Sequence, residues 1–140
     1  MTIATVTTDI NVGPFKIPSN GQNMIMNNYA QRKNLKVELV IPEPMMSNRL
    51  ATLSWLHEEF KFKKVILCSI HQLPDEKNKA KEFCKKLKNV EFHFALEGIN
   101  GKGKNFLFNC IKEAQIFMKV EKIDSKKTNW LKLYDMMKKK

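Results

Sequence analysis

The chain has 140 residues, 43% of them hydrophobic, and a formal net charge of +11; that is material for one domain with a substantial core and leaves none for a second. Its longest apolar runs, such as "VILC" and "FLF", fall far short of the roughly 20 residues that a membrane-spanning helix needs. The opening residues carry no basic region followed by an apolar stretch and a small-residue cleavage site, so a cytoplasmic protein without a membrane span is expected.

Cys68, Cys84 and Cys110 are odd in number, widely spaced and set among apolar neighbours. That pattern predicts buried free thiols rather than a disulfide framework or a zinc site, with a nucleophilic Cys68 beside His71 as the lesser alternative. The positive charge is uneven: from Asn100 onward eleven lysines face four acids, which places +7 of the +11 there. Arginine, the residue that clamps phosphate or reads guanine with two parallel hydrogen bonds, occurs only at Arg32 and Arg49. A solvated basic tail is therefore expected in preference to a specific nucleic-acid surface, with nonspecific attraction to polyanions left open.

In chain order, "TIATVTT" is rich in β-branched residues and reads as a first strand, followed by a Gly- and Pro-marked loop through Pro18. Helical spacing of Met24, Ile25, Asn28 and Tyr29 predicts a helix over Asn20 to Lys33. "LKVELVIP" reads as a second strand stopped by Pro42 and Pro44. Ser47 or Asn48 then caps a helix whose apolar face carries Leu50, Leu53, Trp55, Leu56 and Phe60. "KKVILCSI" is a third strand, apolar enough to be buried on both faces. Asp75 caps a lysine-rich helix with Ala80, Phe83, Cys84 and Leu87 inward, and "VEFHFALE" is the fourth strand, with His93 packed in the sheet. The loop "GINGKGKN" leads into a helix carrying Leu107, Cys110, Ile111, Ala114, Phe117 and Met118 on one face. Trp130, Leu131, Tyr134 and Met137 mark a last short helix. The domain division that follows is an α/β domain over 1–123 and a basic C-terminal helix over 124–140, packed on it or extending from it.

Alternating strands and helices predict an α/β three-layer sandwich with a mostly parallel sheet of about four strands. All strand carboxyl ends then share one edge, where open α/β sheets hold ligands. Thr7, Thr8 and Asp9 follow the first strand, Glu43 the second, Ser69, His71 and Gln72 the third, and Glu97, Asn100, Lys102 and Lys104 the fourth. Turn-forming residues end strands in any protein, but four loops bringing hydroxyl, carboxylate, imidazole, amide and ammonium groups to one edge predict a polar crevice. His71 and Glu97 are its candidates for acid–base chemistry, and His57 is expected to be solvated on an exposed helical face. "NGKGKN" offers two lysines and exposed amides to an anion. It is not a Walker loop, no G-x-G-x-x-G occurs, and no clustered His/Asp set is present, so neither a cofactor nor a metal is expected.

Two resemblances extend this reading. "VEFHFALEGINGKGKNFLFNCIKEAQIF", the early "VTTD" and the position of "VILCSIHQLPD" resemble the catalytic domain of serine recombinases over most of residues 2 to 123. The likeness implies a resolvase-like sheet, with a flavodoxin-like one as the alternative. It does not carry the chemistry: Thr7 and Thr5 stand where that family has its serine nucleophile and the preceding arginine, and Gln72 and Asp75 stand where it has two further arginines. Phosphoryl transfer needs positive charge on the developing oxyanion, so strand exchange is not expected.

The closer resemblance is to the sporadic carbohydrate cluster proteins, carried by "PFKIPSNGQNMIMNNY", "EPMMSNRLATLSWL", "CSIHQLPDE" and "EFHFALEGI" over Thr2 to Ile99. It implies a cytoplasmic role in capsule or lipopolysaccharide sugar synthesis, as an enzyme or as a partner of one, alone or as a homo-oligomer. On that likeness Gln22, Asn23, Ser69, Gln72 and Glu97, with Thr7, Asp9, Lys102, Lys104 and His71 around them, would contact a sugar or nucleotide-sugar; helix capping and loop pinning are the competing roles for the amides. The other alternative is a catalytically inactive recombinase-like protein that binds DNA or serves as a scaffold.

Overall fold

The computed structural model describes residues 2–8, 16–43 and 50–120. β-branched and apolar residues build a central sheet from β1 (Thr2–Thr8), β2 (Leu39–Glu43), β3 (Phe62–Leu67), β4 (Glu91–Phe94) and a short β5 (Ile99–Gly101), in the spatial order β2-β1-β3-β4-β5. The first four strands run parallel, with Thr8 opposite Glu43, Val6 opposite Leu67, and Leu67 opposite Phe94. β5 pairs antiparallel with β4. The helices are α1 (Ser19–Arg32), α2 (Ala51–Phe60), α3 (Lys77–Lys86) and α4 over 104–120, and a single 3₁₀ turn (Ile70–Gln72) follows β3. Three successive β–α–β units thus make the mostly parallel α/β sheet that the alternation predicts.

The period-2 alternation along β1 divides the core. Ala4 and Val6 face the larger cluster, with Ile41, Leu53, Leu67, Phe83, Phe92, Phe94 and Leu107 brought by α2, α3, α4 and the sheet. On the opposite face α1 lays Met26, Tyr29 and Ala30 against Ile66, Cys68 and Ala95. β3 is sealed on both sides, since Val65, Ile66, Leu67 and Cys68 are all 0% exposed, as expected of a central parallel strand.

The structure departs from the sequence reading mainly at the ends of elements. β2 begins at Leu39, and Pro42 lies inside it rather than stopping it; β2 is an edge strand, the one place where a missing N–H costs no ladder bond. α2 is capped not by a residue just before it but by Glu43, whose Oε1 accepts from the Leu53 N–H at 2.8 Å. Ser47 and Asn48 lie outside the described residues, as do Asp9 and the expected helix and basic segment over 124–140. α3 has Glu76 rather than Asp75 at its cap position, without a side-chain cap bond. The most consequential departure is β5. "GING" was expected in an open loop, yet Gly98, at φ +68°, turns the chain back so that β5 runs toward the amino edge of the sheet.

Two glycines of this reversal should respond differently to alanine. At Gly101 a Cβ would meet the Phe106 ring at 2.7 Å, whereas at Gly98 it would meet nothing within 4 Å. Gly101→Ala should destabilise by about 1–3 kcal/mol through overpacking, and Gly98→Ala by about 1–2 kcal/mol through its left-handed backbone alone, both read by urea denaturation. Trimming Phe106 to Leu should recover part of the first loss and none of the second.

Candidate functional site at the carboxyl edge of the sheet

The chain leaves β1 toward β2 on one side and returns to β3 on the other, so the carboxyl ends of β1 and β3 flank the point where the direction of winding reverses. Crevices form at such points because the two connections diverge. Gln72 braces the strand ends at this point. Its Oε1 accepts from the backbone N–H of Cys68 at 2.6 Å and of Ser69 at 3.1 Å, and its Nε2 donates to the Val6 carbonyl at 3.2 Å. The 3₁₀ turn directs this side chain back to the strand ends, and Gln72 is only 3% exposed.

A second junction joins the β3 and β4 loops. Ser69 Oγ donates to Glu97 Oε2 at 2.8 Å and accepts from the His71 N–H at 3.2 Å, while the Ile70 N–H donates to Glu97 Oε1 at 2.8 Å. One carboxylate therefore holds the start of the 3₁₀ turn through both oxygens. A third junction ties α1 to β1. Gln22, fully buried, accepts from the Thr8 N–H and donates to the Thr8 and Ile17 carbonyls, all at 2.8 Å. A primary amide offers one acceptor and two donors in a plane, so Gln22 pairs with the Thr8 backbone as another strand would. With Glu43 at the α2 terminus, all four parallel strands end in a side chain, or next to one, that satisfies backbone from another element.

The remaining candidates divide. Thr7 is 4% exposed and Asn23 half-buried, and among the described residues neither side chain is hydrogen-bonded, so both keep polar capacity beside the β1 end. The His71 ring packs edge-on against Phe117 of α4, with centroids 5.4 Å apart. Lys102 and Lys104 are not at this edge at all, because β5 carries them to the opposite one. Cys68 is 0% exposed, and burial, with Glu97 nearby, pushes its thiol up to about 11, far from the range in which a thiolate attacks.

Sequence reasoning missed a polar chain that runs from a buried Tyr29–His93 pair to the surface. On the α1 face, Tyr29 Oη and His93 Nδ1 lie 2.7 Å apart, His93 Nε2 is 3.6 Å from Glu91, and Glu91 reaches Lys64 at 3.3 Å and Asn100 at 3.2 Å. Tyr29 sits one helical turn after Ile25 and Met26 on the stripe that covers β4, and that periodicity was the available signal. Burial lowers the His93 pKa, with Glu91 opposing and Lys64 and Lys33 adding to the effect. His57, expected in solvent, is also part of the framework: its Nδ1 accepts from the Phe62 N–H at 3.1 Å, and its ring stacks on Phe62. Burial and Lys86 lower its pKa as well. Among the described residues no group of three or more His, Cys, Asp or Glu side chains could hold a metal ion, and no helix is long and apolar enough to cross a membrane.

No protein-family model matches the sequence, and no curated protein matches it. Among solved structures the chain is similar to the N-terminal catalytic domain of TP901-1 integrase, with a TM-score of 0.57 at 15% identity, over 86% of this chain and 99% of that one. The likeness is one of fold and makes the sheet a resolvase-like one, in line with the recombinase resemblance.

Two outcomes follow from this geometry. Gln72→Met keeps the volume but leaves two buried N–H groups and a carbonyl without their partner, so it should cost about 2–4 kcal/mol. Asn23→Ala, which breaks no hydrogen bond, should cost under about 1 kcal/mol; chemical denaturation reads both. The second outcome concerns pH. Since His57 and His93 have folded pKa values below the unfolded value, the unfolded chain takes up protons first as pH falls through about 6.5. Stability should therefore decline from pH 7.5 to 5, and His93→Gln should flatten that slope.

Proposed function

We propose that the protein binds a sugar or nucleotide-sugar at the carboxyl edge of its sheet, in the service of surface-carbohydrate synthesis. The observation that carries this reading is where the motifs meet. The four stretches that resemble the sporadic carbohydrate cluster proteins supply Gln22, Glu43 immediately before Pro44, Ser69 with Gln72, and Glu97, and each of these makes an interelement hydrogen bond at one edge. A rigid frame of amides and carboxylates lowers the entropy cost of holding a ligand above it. Thr7 and Asn23 keep the hydroxyl and amide that match sugar hydroxyl groups, which both donate and accept.

The arrangement favours binding over catalysis. Glu97 accepts from Ser69 and Ile70, and the His71 ring packs against Phe117, so both candidates for acid–base chemistry already serve the framework. Such a module would deliver its ligand to an enzyme partner or act within a homo-oligomer. The recombinase-like fold favours one other reading, an inactive relative that binds DNA as a scaffold. Thr5, where that family resemblance expects an arginine, has its hydroxyl buried without a hydrogen-bond partner, and a neutral group in that position supplies no charge to a phosphoryl oxyanion.

A thermal-shift panel of nucleotide-sugars separates these readings. A ligand present at about 100 times its Kd adds about 2.7 kcal/mol to apparent stability, a rise of several degrees in Tm. Thr7→Val and Asn23→Ala should abolish that rise while leaving the unliganded Tm nearly unchanged. No rise with any nucleotide-sugar, or a rise indifferent to both substitutions, would contradict the proposal. Incubation with supercoiled plasmid should yield neither nicks nor covalent adducts, and a footprint at physiological salt would favour the DNA reading.

A further inference from the structure

A substantial cavity lies away from the carboxyl edge. A cleft of about 720 Å³ opens at the amino edge, between the end of α2 and the starts of β3 and β4, and is lined by His57, Lys61, Phe62, Lys63, Asn89 and Lys102 among others. A neighbouring hollow of about 530 Å³ shares Asn89 and Lys102 with it and adds Lys88 and Lys104. The reversal of the chain at β5 brings Lys102 and Lys104 here. The cleft's two carboxylates are already neutralised: Glu58 pairs with Lys86 at 2.8 Å and Glu91 with Lys64 at 3.3 Å. None of Lys61, Lys63, Lys88, Lys102 and Lys104 is in an ion pair among the described residues.

We propose that this cleft is a binding site for a nucleoside diphosphate, with the diphosphate held by Lys63, Lys102 and Lys104 and the base lying toward His57 and Phe62. The volume lies in the range of small-molecule sites, and unpaired lysines around a concave wall concentrate positive potential more than the same charges on a convex surface. α4 begins beside the hollow, directly after Gly103 at φ +104°, so its first N–H groups add to the anion's attraction. The His57 ring on the cleft wall is backed by Phe62, with centroids 5.8 Å apart. His57, its pKa lowered by burial and by Lys86, is a neutral hydrogen-bonding ring at pH 7 rather than another cation. The site lies at the opposite edge from the sugar-binding reading and stands without it.

The test is a ¹H–¹⁵N NMR titration of the full chain with uridine diphosphate, with uridine as the comparison probe. Uridine diphosphate should shift the amides of residues 57–63, 88–91 and 101–106, and uridine should bind at least about tenfold more weakly. Lys63→Glu/Lys102→Glu should weaken the diphosphate by about tenfold or more. Lys77→Glu/Lys81→Glu, on the exposed side of α3 with the same change in net charge, should leave it within about threefold. The spectrum of each variant reports its fold. Shifts confined to Thr7, Thr8 and Asn23, equal weakening by the two double variants, equal binding of uridine and its diphosphate, or no binding would each overturn the proposal.

Discussion

The carboxyl edge depends on the side-chain amide of Gln72. A parallel sheet leaves backbone groups without partners where its strands stop, and burying them unpaired costs on the order of 1–3 kcal/mol each. Here Gln72 satisfies two N–H groups at the end of β3 and one carbonyl of β1 from a single planar group. Gln22 does the same for Thr8, and Glu97 for the Ile70 N–H while also accepting from the Ser69 hydroxyl. The carboxyl edge is thus framed by side chains that complete backbone hydrogen bonding, with Thr7 and Asn23 beside them.

Much of the layer order was legible because it rests on periodicity. The apolar run over Val65 to Cys68 and the alternation along β4 identified central strands, and the stripe on α3 identified its buried face. Capping was harder to see, because the α2 cap comes from Glu43 ten residues before Leu53 in sequence, across a connection that local rules do not span. β5 was invisible for a related reason: three residues, "ING", are too short for a period, and their strand character comes from pairing with β4. The polar edge residues were found by position, yet their division into frame and free groups depends on side-chain direction, which no spacing rule supplies.

The same short strand separates the charge from the crevice. Had the chain continued from β4 into α4 without reversal, Lys102 and Lys104 would stand over the carboxyl edge with Glu97. With β5 in place the described residues of the carboxyl edge carry amides, hydroxyls and carboxylates, and Lys102 and Lys104 lie with the lysines around the amino-edge cleft. Among the described residues the two edges of the sheet thereby differ in chemistry, with amides, hydroxyls and carboxylates at one and lysines at the other.

The central claim is that side chains, not solvent or strand neighbours, complete the hydrogen bonding of the carboxyl edge. Native-state amide hydrogen exchange tests it most directly, since protection reports whether a particular N–H is held. The account predicts that Thr8, Leu53, Cys68, Ser69 and Ile70, whose N–H groups donate to Gln22, Glu43, Gln72 and Glu97 side chains, exchange as slowly as the sheet amides of β1 and β3. Exchange of these five at the rate of exposed loop amides, with the sheet itself protected, would contradict it.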